Sequence, residues 1–295
     1  MIARVVRLSG VEFAVRVDER YAGPLRALKR AIWPKPAAAA TADPAAPSTD
    51  GSAAGAELLA KVQQIRWYHT MDLGHGVVTP GFFDHRPVLR RYHLPDSLSG
   101  CRVLDVATYN GFWAFEFERR GAAEVVATDI ATMADIDLAP ARRAAMSAAE
   151  LAQETGTGFA LARTALGSKV RREIVDVYDL SPERMGGTFD LVMCSDLLLH
   201  LTNPIRALQR IRSVTRGSAY IADMYDQYLD HYGPTGLLHY RGGTNDYVWW
   251  TFSLSGLEQM IRDAGFRTVT MLDRFDLLPR HMTVGPPHVV FRADV

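Results

Sequence analysis

Val103-Leu104-Asp105-Val106-Ala107-Thr108-Tyr109-Asn110-Gly111-Phe112-Trp113, with Val125-Val126-Ala127-Thr128-Asp129-Ile130 beyond it, decides the fold. Each stretch is a short apolar run ending at a carboxylate. Between them lies a turn with one glycine and then a helical pattern, which reads as strand, helix, strand. Outward from this unit, further strands are expected at Arg172–Val177, Asp190–Ser195, Ala219–Met224, Thr268–Asp273 and His288–Arg292. Helices are expected near Phe112–Arg120, Pro140–Glu154, Pro204–Val214 and Leu254–Ala264. Alternating strands and helices with continuous β-branched runs predict an α/β, Rossmann-like protein. Its sheet is seven-stranded and mainly parallel, with helices on both faces and a loop and helix cap.

The composition excludes several classes. With 48% hydrophobic and 22% charged residues the chain is ordinary for a globular protein. No apolar run reaches the roughly 18 residues of a membrane span, and Met1–Gly10 lacks the apolar segment of a secretory signal. Two distant cysteines, Cys101 and Cys194, form no metal framework and fit a reducing cytoplasm. The net charge is zero, which argues against a dedicated nucleic-acid binder. Residues 1–33 carry seven basic and three acidic side chains, a local +4 that leaves −4 on the remainder.

The organisation follows from composition. Residues 1–33 form a basic arm, with a strand or hairpin expected over Ala3–Val17 and a short helix over Leu25–Trp33. Residues 34–55 contain four prolines and no large apolar side chain, so they read as a disordered Ala/Pro-rich linker. A folded domain then runs over 56–295. It divides into an N-terminal cap (56–100), a cofactor-binding half (101–224), a cap insertion (225–252) and C-terminal strands and helix (253–295).

In open α/β sheets, ligands bind outside the carboxyl ends of the strands, above the first strand-to-helix turn. Gly111 allows backbone to approach a ligand at the helix start. Asp129, 18 residues later, is placed to accept hydrogen bonds from both hydroxyls of a ribose. A pyrophosphate needs glycines where this chain has Ala107 and Tyr109, and Asp105 repels phosphate. Asp105 suits the ammonium of a methionine tail, so the residues point to S-adenosyl-L-methionine rather than to a nicotinamide dinucleotide. Ala107 is compatible with the turn only at negative φ.

Four blocks together resemble a known family: Trp67-Tyr68-His69-Thr70 with Val78-Thr79-Pro80-Gly81, Leu104–Glu116, Val177-Tyr178-Asp179-Leu180-Ser181-Pro182, and Phe189–Pro204. Over about Ile65–Leu277 the chain is similar to bacterial class I methyltransferases, in particular the group related to the tRNA wobble-uridine (position 34) enzymes. Many members of that group modify small molecules. The resemblance implies a methionine-side loop of Asp105, Ala107 and Gly111, with Asp129 and Ile130 holding ribose and one adenine face. It implies Val177 and Tyr178 beside adenine, Ser195 beneath the sulfonium and Phe82 closing over the cofactor. Ala107 departs from the family's first glycine. Relatives that transfer a carboxymethyl group use an arginine near the place where this chain reads Gly243-Thr244-Asn245-Asp246-Tyr247, so ordinary S-adenosylmethionine is the simpler donor.

The aromatic, glycine-rich stretches Trp67–Pro87 and Tyr225–Thr251 have no duty in the sheet and are expected to form the acceptor pocket. Trp67, Tyr68, His69, Tyr247, Trp249 and Trp250 are its expected walls; ordinary core packing is the competing reading for the two adjacent tryptophans. A hydroxyl acceptor needs a base; His200 and His69 are the candidates, with Asp223 a third carboxyl near the donor. The histidines show no metal-site spacing. The expected reaction is O-methylation of a sugar or specialised metabolite. Modification of tRNA is the alternative, which the −4 main body disfavours.

Overall fold

The computed structural model describes residues 2–8, 11–17, 49–242, 247–280 and 282–295. The helix expected over Leu25–Trp33 and the linker expected from 34 to 48 lie outside the described residues. Ile2–Leu8 (β1) and Val11–Val17 (β2) pair antiparallel, with Ile2 opposite Val17, as the alternation over Ala3–Val17 predicts.

Order begins earlier than the linker reading placed it. Helix α1 spans Ala53–Val62, and the Ser52 side chain accepts a hydrogen bond from the Gly55 N–H. Asp50 is also held, its carboxylate 3.1 Å from His75 Nδ1 and its N–H on the His75 carbonyl. Low hydrophobicity over 49–55 is therefore a capping signal here, because Ser and Asp satisfy the free amides of a helix start.

The main sheet has seven strands: Arg102–Val106 (β3), Glu124–Asp129 (β4), Arg171–Ile174 (β5), Phe189–Ser195 (β6), Thr215–Met224 (β7), Thr268–Asp276 (β10) and Pro287–Asp294 (β11). A small ribbon, Leu238–Tyr240 (β8) with Trp250–Phe252 (β9), lies in the cap insertion. Strand order in the sheet is β10-β11-β7-β6-β3-β4-β5. The five strands from β5 to β7 run parallel, and β11 joins β7 antiparallel. The order reverses between β3 and β6, so a crevice opens outside their carboxyl ends. The apolar runs fill the centre, with Val103, Leu104, Val192, Met193 and Ile221 inaccessible.

Helix α2 (Phe112–Arg119) follows β3 and is buried almost all round, Phe117 completely. The expected helix over Pro140–Glu154 is broken into α3 (Pro140–Ala144) and α4 (Ala148–Leu151). Ser147 and Glu150 form a reciprocal cap that starts a new helix. Met146, just before it, turns into a small apolar cluster with Met133, Leu138 and Tyr247, separate from the main core. Helix α5 (Thr157–Ala165) was not anticipated, because glycines at 156, 158 and 167 mask its buried Phe159 and Ala162. Helix α6 (Pro204–Val214) starts at the side chain of Asn203 and buries Ala207, Leu208, Ile211 and Val214 at helical spacing. Helix α7 (Leu254–Asp263) is capped by Ser253.

The stretch 67–83 doubles back on itself over the crevice and, with the residues up to His85, forms a strap. Thr70 N–H bonds the Phe83 carbonyl, and Phe83 and Phe82 N–H groups bond the Tyr68 and Trp67 carbonyls. Two backbones meet so closely at Gly81 that a Cβ there would stand 2.1 Å from the His69 carbonyl carbon. Gly81→Ala is expected to cost about 1–3 kcal/mol or more, since no flexible side chain can yield. Chemical denaturation measures this; an unchanged midpoint contradicts the close approach.

Candidate functional site

At the reversal between β3 and β6 lies a cavity of about 220 Å³. Its geometry starts with the turn after β3. Ala107, Tyr109 and Gly111 all have left-handed backbones, with φ of 57°, 46° and 95°. The expectation that Ala107 keeps negative φ is thus corrected. A five-residue turn from strand into helix requires alternate left-handed residues whether or not glycines supply them. An L-residue there costs roughly 1–2 kcal/mol, which the carboxylates of Asp105 and Asp129 offset. Asp105 Oδ2 accepts from Thr108 Oγ1 at 2.7 Å and Ala114 N at 3.2 Å. Asp129 Oδ2 accepts from Tyr109 N at 2.8 Å, and its Oδ1 from Ile130 N at 2.8 Å.

Both acids line the cavity and are almost inaccessible. Burial pushes Asp105 up to about 7, against the hydrogen bonds of Thr108 and Ala114; the neighbouring charge it feels is that of Asp129. Burial likewise raises Asp129 to about 6, opposed by Arg172, whose guanidinium stands 3.9 Å away. A carboxylate has about four acceptor sites. Two on Asp129 are taken by backbone amides, which leaves two for a ligand's hydroxyls.

Ala107, Ile130, Val177, Tyr178 and Ser195 also line the cavity. Strand β5 ends at Ile174, short of the predicted Val177, because Asp176 accepts from Tyr178 N and starts a tight turn. That turn brings Val177 and Tyr178 to the wall with Met133 and Ile136. Tyr178 Oη donates to Asp137 Oδ2 at 2.9 Å, and the same oxygen accepts from Thr202 N at 2.6 Å. Gly111 is not in the wall. A Cβ there would meet Phe115 at 2.4 Å and Phe159 at 2.8 Å, so the residue packs beneath the turn.

Trp67, Tyr68, His69, His200 and Tyr247 line the same cavity. His200 Nδ1 lies 2.6 Å from the Tyr247 carbonyl. A carbonyl only accepts, so Nδ1 carries the proton and Nε2 keeps its lone pair. Burial holds the His200 pKa below its ordinary value, with the Tyr247 carbonyl and Asp196 opposing. His69 stacks on Phe112 at 5.6 Å, and its buried Nδ1 has no hydrogen-bond partner. Burial, reinforced by His85, pushes it well below the usual imidazole range. Among the described residues, no group of three or more His, Cys, Asp or Glu is arranged to hold a metal. No helix among them is long and apolar enough to cross a membrane.

Two expected wall residues, Trp249 and Trp250, and Phe82, expected to close over the cofactor, stand outside the cavity. Trp249 Nε1 donates to the Asp137 carbonyl at 2.7 Å, and Trp250 Nε1 to the Leu201 carbonyl at 3.1 Å. Both brace the cap instead, because a half-buried indole N–H needs an acceptor and backbone provides it. Phe82 packs edge-on against Phe83 at 4.7 Å, with its carbonyl bonded by Arg280 N, so it faces the strap and not the ligand space. Asp223 is turned to the amides of Leu198, Leu199 and Met224 and is not in the wall.

Sequence reasoning assigned no role to Asp196, which lines the cavity directly after β6 with φ of 53°. Its partner His288 comes from β11, with Nε2 2.8 Å from Asp196 Oδ1. The position of Asp196 at a strand end was a usable signal. The pairing with a residue 92 positions away was not.

The strain in the turn has a measurable consequence. Ala107→Gly is expected to leave stability unchanged or raise it by up to about 1 kcal/mol, where Ala→Gly ordinarily costs 0.5–1. A loss of the ordinary size in denaturant titration contradicts the left-handed backbone.

The comparisons agree with this geometry. Residues 83–271 match the family model described as a methyltransferase domain. The N-terminal domain of EvdMO1 with SAH bound superposes with a TM-score of 0.58 at 15% identity, covering 81% of this chain and 96% of that one. The same domain in the presence of SAH and D-fucose gives 0.56 at 15% identity, covering 84% and 99%. Against whole EvdMO1 the TM-score is 0.51 at 15% identity, covering 81% of this chain and 47% of that one. At such identity these structures establish the fold. No curated protein matches the chain in sequence. The family match spans well over half of the 295 residues, so the chain belongs to the methyltransferase-domain family and is a class I S-adenosylmethionine-dependent methyltransferase.

Proposed function

We propose that the chain methylates oxygen on a small, uncharged, hydroxyl-bearing acceptor, a sugar or specialised metabolite. The observation that carries this reading is His200 in the cavity wall, whose backbone-held Nδ1 leaves Nε2 with its lone pair as a base. The site fits the cofactor: Asp105 is a buried carboxyl that accepts from the Thr108 hydroxyl and the Ala114 amide, a place that an ammonium completes. Asp129 and Ile130 would hold the ribose and one face of adenine. Val177 and Tyr178, with Met133 and Ile136, would flank the base, and Ser195 would sit under the donor end.

When bound, S-adenosylmethionine supplies an electrophilic methyl group on a sulfonium and leaves as a neutral thioether. Trp67, Tyr68 and Tyr247 enclose the acceptor and exclude water. Its oxygen gains the carbon bond while His200 Nε2 takes the hydroxyl proton; His69 is the second candidate for that duty. Positioning dominates such a displacement, and the base adds about 10²–10⁴ in rate. Crystallisation of the EvdMO1 domain with D-fucose supports a sugar acceptor. The sequence blocks shared with wobble-uridine enzymes favour a second reading, tRNA, against which stands the −4 charge outside residues 1–33. The same charge division supports residues 1–33 as an arm separate from the transfer site.

Two outcomes are expected. Asp129→Ala weakens S-adenosylhomocysteine binding in calorimetry by about 10–100-fold, the loss of hydrogen bonds to a charged acceptor; unchanged affinity contradicts its assignment. In cell extract supplied with deuteriomethyl donor, the wild type labels a small molecule, and His200→Ala slows that labelling at least about 100-fold. Label in the tRNA fraction instead selects the second reading, and full labelling by His200→Ala removes His200 as the base.

A further inference from the structure

Asp196 has a position that the transfer scheme does not explain. It lines the cavity in a left-handed backbone, yet its carboxylate is gripped from behind. His288 enters from β11, where it pairs with Met224 beside the end of β7. Its Nδ1 lies 2.8 Å from the Pro286 carbonyl and its Nε2 2.8 Å from Asp196 Oδ1. A carbonyl accepts only, so Nδ1 bears a hydrogen. The Nε2 contact therefore shares one proton between imidazole and carboxyl. Oδ2 accepts from Ser195 Oγ at 3.1 Å and faces His85 Nε2 at 3.8 Å. Two of the carboxylate's acceptor sites are thereby used, and two remain.

We propose that Asp196 is the fixed anion of the acceptor end: it binds a hydroxyl of the uncharged acceptor and stabilises the imidazolium formed on the base, and His288 is the residue that positions it. This rests on the O-methylation reading above. The methyl-to-oxygen bond forms as the methyl-to-sulfur bond breaks, with its electron pair going to sulfur. The acceptor proton goes to the histidine, and Asp196 lies within electrostatic reach of both His200 and His69. An imidazolium created between apolar walls needs such a counter-charge in place before the reaction.

The surroundings decide which partner holds the shared proton. Burial alone disfavours charge on both residues, and the pair resolves this as imidazolium with carboxylate. Against burial, the Asp196 charge raises His288, while His288 and then His85 lower Asp196. Facing the pair are His85 and His69 from the strap side, Asp223 from the end of β7, and the phenols of Tyr68 and Tyr92. Asp223 is raised to about 8 by burial and by Asp196, so it adds little negative charge at neutral pH. Without His288, burial raises the Asp196 pKa with only His85 left to oppose it.

Nitrogen-15 histidine NMR on the full-length, ligand-free protein reads this directly, with His288→Gln assigning the signal. His288 is expected to carry both ring protons at pH 7 and to lose its charge only in alkaline solution; Asp196→Asn makes it neutral at pH 7. A neutral His288 in the wild type, or a titration that Asp196→Asn leaves unmoved, overturns the ion pair. Deuteriomethyl labelling of the metabolite extract then tests the role. At saturating donor, the fall in rate from pH 8 to pH 6 is at least tenfold larger in His288→Gln than in the wild type. Its S-adenosylhomocysteine affinity stays within threefold of wild type. Parallel pH profiles in the two proteins overturn the positioning role. The NMR result needs no acceptor, so an imidazolium there with label in tRNA separates failure of the acceptor reading from failure of the pair.

Discussion

The turn between β3 and α2 must reverse the chain in five residues, and two carboxylates from neighbouring strands make that turn possible. Asp105 ties Thr108 and Ala114 from below, and Asp129 holds Tyr109 from the side. Left-handed geometry at Ala107 and Tyr109 is thereby held by hydrogen bonds around the turn, and only at Gly111 does glycine allow it. The same side chains line the ligand space, so they serve the fold and the proposed cofactor site at once. Their raised pKa values show the cost: both acids bind protons more tightly folded than unfolded. The ligand-free protein therefore loses stability as pH rises from the ordinary carboxylate range through about 6 to 7. A cationic ligand at Asp105 reverses that trend.

Much of this was legible in the chain. All seven sheet strands were anticipated; the central parallel ones stand out because strands covered on both faces must be short apolar runs. Asp105, Asp129, Ile130, Val177, Tyr178 and Ser195 were placed because they follow strand ends, and strand ends at a reversal converge. The ends of elements were less visible. Ser52 and Asp50 looked like linker chemistry but cap a helix, and Ser147 with Glu150 divides what reads as one helix.

What stayed hidden was what depends on distant pairing. His288 reaches Asp196 only because β11 inserts antiparallel beside β7. Nothing in the local pattern of either residue announces the other. Trp249, Trp250 and Phe82 failed as wall residues for a related reason. Aromatic content marks a stretch as partly buried but does not say which face meets ligand and which meets backbone.

The small cluster of Met133, Leu138, Met146 and Tyr247 has a role beyond packing. It joins the segment after β4 to the cap insertion and forms one side of the cavity through Met133 and Tyr247. It is a cluster apart from the main core, so substitutions in it act first on the shape of the chamber. Two of its four members are methionines, unbranched side chains that refill irregular gaps. This wall couples the two parts of the ligand space, since Met133 belongs to the proposed adenine side and Tyr247 to the proposed acceptor side.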